Sequence, residues 1–167
     1  RAGGVALTVA DALPVPLVRG ATRVGRAVLG ADTVPLYDGG LPRGGTAPPR
    51  PVSPPDAQAV FFGACIGTMF GPEDEGPGSR DALRALLDRA GIPVVVPEEN
   101  GGLCCGTPWK SKGHLDGYRL MSDRVLASLW DASRHGELPV VCDAASCTEG
   151  LDVMLTQAVA AHPEYAG

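Results

Sequence analysis

Five cysteines are the residues in this sequence whose type and spacing point to chemistry. They are Cys65, Cys104, Cys105, Cys142 and Cys147, and with the adjacent pair taken together the gaps between them are 38, 36 and 4 residues. Cysteine thiolates bind soft metals and iron–sulfur clusters, and they take part in thiol–disulfide exchange. No Ser-His-Asp arrangement, paired carboxylates or phosphate-binding loop stands out beside them. Thiol or metal chemistry is therefore the expected activity.

The residues after position 57 predict the elements that position these cysteines. Three short apolar runs alternate with amphipathic stretches, which predicts a strand–helix unit repeated three times. The expected strands are 59–62, 94–96 and 138–142, and the expected helices begin near 79, 115 and 148. This order predicts an α/β fold, a small three-layer parallel sheet with right-handed crossovers.

All five cysteines follow the ends of the predicted strands. Cys65 follows the first strand, and the pair 104–105 follows the second. Cys142 is the last residue of the third strand, and Cys147 lies shortly after it. Because the carboxyl ends of parallel strands share one edge, where ligands bind in open α/β sheets, the thiols are expected to meet there. An iron–sulfur cluster is the preferred interpretation. Zinc, redox-active thiols and inert buried cysteines are the alternatives.

Residues 1–57 differ from the rest of the chain. They hold 9 glycines and 9 prolines and carry a net charge of +2, whereas residues 58–167 carry −7. Apolar residues at helical spacing from Leu17 to Val28 predict an amphipathic N-terminal helix whose apolar stripe needs a partner surface. The glycines and prolines of 30–57 predict an extended Pro/Gly-rich connector.

Charge and hydropathy exclude several classes of protein. A net charge of −5 without a basic cluster argues against a nucleic-acid partner. The sequence has no apolar run long enough to span a bilayer and no export signal. It does not begin with Met, and we expect it to be a piece of a longer protein.

The segments around the cysteines resemble the cysteine-rich CCG domain. They are Cys65, Gly-Leu-Cys-Cys-Gly-Thr-Pro-Trp-Lys-Ser-Lys-Gly at 102–113, and Val-Cys-Asp-Ala-Ala-Ser-Cys-Thr at 141–148. This domain occurs in heterodisulfide reductase subunits, glycolate oxidase iron–sulfur subunits and FAD-linked D-lactate dehydrogenases. The residues after Cys-Cys-Gly are similar to those of large fused FAD-linked oxidases. The fullest CCG pattern ends in Cys-x-x-Cys, whereas four residues separate Cys142 from Cys147 here.

The resemblance implies the C-terminal iron–sulfur electron-transfer portion of an FAD-linked oxidoreductase that oxidises a 2-hydroxy acid such as D-lactate or glycolate. Its domains would be an inter-repeat leader at 1–57, the CCG domain at 58–161 and a tail at 162–167. FAD, a ferredoxin-like module and a first CCG repeat would lie upstream, so this chain alone would not be a complete catalyst. A quinone or cytochrome-like acceptor and a cytoplasmic or peripheral inner-membrane location are also implied.

The same resemblance ranks the residues of the site. Cys104, Cys105, Cys147 and Cys65 are the expected ligands of the iron–sulfur cluster, in falling order. Cys142 ranks last, because it ends a strand whose side chains can point into the core.

Four further residues form the expected surroundings of the cluster. Gly106 would let the backbone approach the cluster closely, and Trp109 would shield it from water. Lys110 and Lys112 would offset its charge or dock a redox partner.

Two other functions remain open at this point. Thiol–disulfide chemistry at a cysteine-ligated cluster, as in heterodisulfide reductases, would require Cys142 as a fifth ligand. A non-redox structural or zinc-binding interaction module would need the cysteines only for packing or for zinc.

Overall fold

The computed structural model describes residues 2–73, 76–160 and 162–166. The chain forms two compact units. Unit 1 comprises Arg1–Ala47 and Ile66–Gly76, and unit 2 comprises Pro48–Cys65 and Pro77–Gly167. Residues 48–57, assigned to the connector above, therefore belong to unit 2. Three ends of the predicted segments, Arg1, Ala161 and Gly167, lie outside the described residues.

Helices and strands are mixed along the chain, and the α/β class is confirmed. The α-helices of the described residues are α1 (Ala2–Asp11), α2 (Val15–Leu29), α3 (Ile66–Met69), α4 (Ser79–Arg89), α5 (Thr107–Ser111), α6 (Leu115–Ala132) and α7 (Ala145–Val159). The strands are β1 (Ala59–Phe62), β2 (Val94–Val95) and β3 (Val140–Cys142). Two 3-10 helices span Asn100–Gly102 and Pro163–Ala166. No helix among the described residues has both the length and the apolarity to cross a membrane.

The three strands form one parallel sheet in unit 2, in the order β2-β1-β3. Val60 pairs with Val95 on one side and with Val140 on the other, and Phe62 pairs with Cys142. All four residues of the central strand β1 are buried, as a strand covered on both faces requires. The predicted parallel sheet is confirmed.

Helices cover both faces of the sheet and complete the three layers. The first core joins one sheet face to α6 and α7 and includes Val60, Phe62, Val95, Tyr118, Met121, Val125, Leu129 and Met154. The second core joins Ala59, Phe61, Val94 and Val96 on the other face to Leu83 and Leu87 of α4. The strands thus alternate their side chains between two apolar layers.

Several short elements differ from the sequence predictions. The helix α1 precedes the predicted amphipathic helix, and α3 and α5 lie between predicted strands and the helices predicted to follow them. Helices of one turn or little more carry no periodicity by which a sequence could reveal them. The helix α7 begins at Ala145 instead of near 148, so Cys147 lies in its first turn.

In unit 1, the helix α2 confirms the predicted amphipathic helix. Its polar side lies against residues 31–38, which follow it in the chain. The N–H of Tyr37 donates to the Thr22 hydroxyl at 3.2 Å, and Arg19 pairs with Asp38. Arg26 donates to two carbonyls of the connector, at 3.0 and 2.7 Å. These hydrogen bonds fix which face of α2 lies against residues 31–38.

The apolar stripe of α2 consequently points to solvent. Leu17, Val24 and Val28 are 61%, 66% and 76% exposed, and no residue of α2 is buried. Both apolar cores of the described residues belong to unit 2. The stripe therefore adds little to the stability of the chain as it stands.

Replacing Val24 with alanine is expected to change the free energy of unfolding by less than about 0.5 kcal/mol, since the side chain is mostly in water. Val125→Ala is the matched substitution in α6, where the side chain is fully buried. It should cost about 2 kcal/mol. Urea denaturation followed by circular dichroism measures both. Equal losses would mean that the stripe on α2 is covered in solution.

Candidate functional site

The cysteines meet at the carboxyl edge of the sheet in unit 2. Cys65 lies three residues after the end of β1, and Cys142 is the last residue of β3. Cys104 and Cys105 lie in the loop after β2, just before α5, and Cys147 lies in the first turn of α7. Cys105 and Cys147 are buried, Cys104 and Cys142 half-buried, and Cys65 exposed.

Four thiols from two loops and the first turn of α7 form a chain of contacts. The Sγ atoms of Cys65 and Cys104 lie 3.6 Å apart. The Cys104 side chain in turn hydrogen-bonds to Cys105, and Cys105 hydrogen-bonds to Cys147. These are the four residues ranked first as ligands from the sequence. Their convergence means that the thiols do not lie at separate, dry positions of the core.

Hydrogen bonding lowers the pKa of Cys105 relative to the other thiols of this group. The thiol of Cys104 and then that of Cys147 hydrogen-bond to its sulfur, and the N–H of Thr107 adds a further hydrogen bond. The Cys105 Sγ also lies 3.4 Å from the Thr107 hydroxyl, which donates to the Ser146 carbonyl. The pKa of Cys105 is therefore well below its usual range. The same hydrogen bonds raise the pKa of Cys104 and Cys147, because each thiol keeps its proton to donate it.

Two glycines allow the backbone at Cys105 to lie close to the helices. Gly106 has a φ of +76°, and a Cβ atom there would lie 2.5 Å from the Met154 Cε and 2.6 Å from the Tyr118 ring. At Gly150 of α7, a Cβ atom would lie 2.6 Å from the Thr107 hydroxyl and 2.8 Å from the Cys105 carbonyl. Gly106 therefore allows close packing against Met154 and Tyr118, and its predicted approach to a cluster stays a prediction. No motif in the sequence singles out Gly150.

Two polar side chains, also missed from the sequence, hold the loop before Cys65. Asn100, which is buried in the loop after β2, accepts the N–H of Gly63 at 3.1 Å. Asp143, just after β3, accepts the N–H of Ala64 at 2.6 Å. The loop that carries Cys65 is therefore tied to the two loops that carry the other cysteines. A polar side chain directly following a predicted strand is the signal that could have identified Asp143.

Replacing Asn100 with alanine is expected to cost about 2 kcal/mol of folding free energy, because the buried N–H of Gly63 loses its acceptor. Gln58→Ala is the control, since it removes an exposed side-chain amide from the same unit. It should change stability by less than about 0.5 kcal/mol. Urea titrations compare the two variants. Similar losses would show that Gly63 finds another partner when Asn100 is removed.

Cys142 lies beside the four-thiol group instead of within its chain of contacts. Burial raises the pKa of its thiol, while a hydrogen bond from Thr148 acts in the opposite direction. Its partner across the sheet is Phe62, whose side chain belongs to the core shared with α6 and α7. Cys142 therefore shares the sheet face that packs against these helices.

The predicted surroundings of a cluster are only partly brought to the thiols. Trp109 is half-buried and packs on α6, where a Cβ atom at Gly117 would lie 3.2 Å from its ring. Lys110 and Lys112 are exposed on and after α5. Packing of the loop explains Trp109 in this structure, and both lysines are accessible to a partner.

The four sulfurs suit an iron–sulfur cluster by their chemistry, since cysteine thiolates are its usual ligands. In the thiol form they are held at hydrogen-bonding distance. No group of three or more His, Cys, Asp or Glu side chains in the described part of the chain is spaced to hold a metal ion. Binding of a cluster would therefore have to replace the hydrogen bonds between thiols with metal–sulfur bonds.

Comparison with known proteins adds no family to these observations. The chain matches no family model, no curated protein and no solved structure. Its function has to be inferred from the thiol group itself and from the sequence resemblance.

Proposed function

We propose that unit 2 is the iron–sulfur, electron-transfer part of an FAD-linked oxidoreductase that oxidises a 2-hydroxy acid such as D-lactate or glycolate. The observation that supports this proposal is the chain of four contacting thiols, drawn from two loops and the first turn of α7 at one sheet edge. The CCG-like sequence around these cysteines supplies the class of enzyme.

In this proposal Cys65, Cys104, Cys105 and Cys147 hold the cluster, which takes up and passes on single electrons when bound. The Cys104 and Cys147 thiols lower the pKa of Cys105, which favours the thiolate form that would bind a cluster. Burial of Cys105 and Cys147 keeps water from one side of the site, and exposed Cys65 marks the other side as open.

Substrate oxidation belongs to a flavin outside this chain. The ferredoxin-like and first CCG modules would connect that flavin to unit 2, and a quinone or cytochrome-like acceptor would receive the electrons. Exposed Lys110 and Lys112 near the thiols offer positive charge for docking such a partner. The protein would work in the cytoplasm or at the periphery of the inner membrane.

Anaerobic reconstitution of the whole chain with iron and sulfide tests the proposal. The expected product contains both elements in stoichiometric amounts and shows a visible sulfur-to-iron charge-transfer band. A colourless protein that instead binds one equivalent of zinc would overturn it. The 3.6 Å between the sulfurs of Cys65 and Cys104 is near the spacing of about 3.8 Å expected in a tetrahedral zinc–thiolate site, so zinc is the competitor to include.

Thiol–disulfide chemistry is the second candidate, and the close approach of Cys65 to Cys104 favours it. Treating the metal-free protein with diamide is expected to link these two sulfurs, since they are 3.6 Å apart and Cys65 is exposed. The two thiols lose two hydrogen atoms, which reduce diamide to its hydrazine. Mass spectrometry of proteolytic fragments identifies the link.

Cys65→Ser is the control for this oxidation, and it should remove the cross-link between the two loops. A disulfide that instead joins Cys142 to another cysteine would contradict the prediction, because Cys142 has no thiol partner in the chain of contacts.

A further inference from the structure

An apolar cleft lies in unit 2, and Cys142 is one of its lining residues. It measures about 340 Å³ and is bounded by α6, β3, α7 and the C-terminal 3-10 helix. Its volume falls in the range of about 300–1,000 Å³ that small-molecule sites occupy. Neither the proposed electron transfer nor the packing of the thiols uses this cleft.

The cleft exists because the core is incomplete over β3. Val60 and Val140 are paired across the sheet and share one face, yet Val60 is fully buried and Val140 is 37% exposed. Leu155 of α7, which also lines the cleft, is 40% exposed. Aliphatic side chains that face an open space of this size gain free energy when an apolar molecule displaces the water.

The lining residues select the chemistry of such a molecule. Trp130 and Tyr165 stand edge-to-face at one end of the cleft, with ring centroids 5.1 Å apart, and offer aromatic surface to a flat ring. No Lys, Arg or His lies among the lining residues, whereas Asp152 does. An anionic ligand would therefore meet a carboxylate with no compensating positive charge. Ser133 and Thr148 each contribute one hydroxyl group to the lining.

We infer that this cleft is a binding site for an uncharged, flat, apolar ring compound. The inference rests on the volume of the cleft and on its lining residues. It holds whether or not the thiols carry iron. A ring bound here would lie against Cys142, the cysteine next to the four-thiol group. If unit 2 transfers electrons as proposed, the cleft places such a compound beside the redox centre.

Tryptophan fluorescence of the whole chain tests the inference. The sequence has two tryptophans, and Trp109 does not line the cleft, so Trp109→Phe leaves Trp130 as the only tryptophan reporter. The probe is duroquinone, which quenches tryptophan and whose four methyl groups hinder addition of thiols. We expect saturable quenching of Trp130 in the metal-free protein. Quenching that rises linearly with concentration, as with free tryptophan amide, would overturn the inference.

Two substitutions and one charged probe locate the binding. In the Trp109→Phe background, Leu155→Phe and Val140→Phe each fill the cleft and should weaken binding by roughly tenfold or more. Leu86→Phe is the matched control on α4, where the leucine is exposed and outside the cleft, and it should leave binding unchanged. Naphthalene-2-sulfonate should bind roughly tenfold more weakly than duroquinone. Equal binding by the filled variants or by the sulfonate would refute the assignment.

Discussion

Replacing Gly106 with alanine is expected to lower the free energy of unfolding by about 3 kcal/mol. The residue has a left-handed φ of +76°, which costs a side-chain-bearing residue about 1–2 kcal/mol. The added Cβ would also lie 2.5 Å from Met154 and 2.6 Å from Tyr118, and overpacking of this kind costs about 1–3 kcal/mol. Because Gly106 follows Cys105, the shift needed to relieve the clash would also move the central thiol.

Gly113→Ala separates the two contributions to this loss. Gly113 has nearly the same φ, +75°, but nothing lies within 4 Å of a Cβ atom there. It should lose only the conformational part, about 1–2 kcal/mol. Urea titration of both variants measures the difference. Equal losses would mean that Met154 and Tyr118 move aside without cost, and that Gly106 is required for its backbone conformation alone.

The sheet and the meeting of the cysteines could be predicted because both follow from chain order. The run at 59–62 is short, apolar and bounded by turn residues, and it forms β1 with those bounds. Once three parallel strands are expected, topology alone places the residues after them at one edge. The convergence of Cys65, Cys104, Cys105 and Cys147 required no knowledge of side-chain positions.

Other features could not be predicted because they depend on the three-dimensional partner of a residue. Asn100 is one polar residue among many in its loop, and only the position of Gly63 makes it an anchor. The orientation of α2 is a similar case. Its periodicity predicts the helix and its apolar stripe, but hydrogen bonds from Arg19 and Arg26 to residues 31–38 decide which side faces solvent.

Cys105→Ser is expected to abolish the binding of iron and sulfide in anaerobic reconstitution. Cys105 is the central residue of the chain of contacts, with Cys104 on one side and Cys147 on the other. The Cys104 and Cys147 thiols lower its pKa, which favours the thiolate form, and a serine hydroxyl, which ionises far less readily than a thiol, is a much weaker ligand for iron. Iron, sulfide and the visible absorbance of the purified variant measure the loss, and circular dichroism checks that the variant is folded.

Cys142→Ser is the matched control, because it makes the same change in a half-buried cysteine at the same sheet edge. Cys142 contacts no thiol in the chain of four. Its replacement should therefore weaken iron binding by no more than about tenfold, which is the smaller loss of metal affinity seen when a residue around a metal centre is replaced. Retention of the cluster in this variant, with loss in Cys105→Ser, is the pattern expected of a four-cysteine electron-transfer site. Loss in both variants would instead indicate a five-cysteine site and favour cleavage of a disulfide substrate at the cluster.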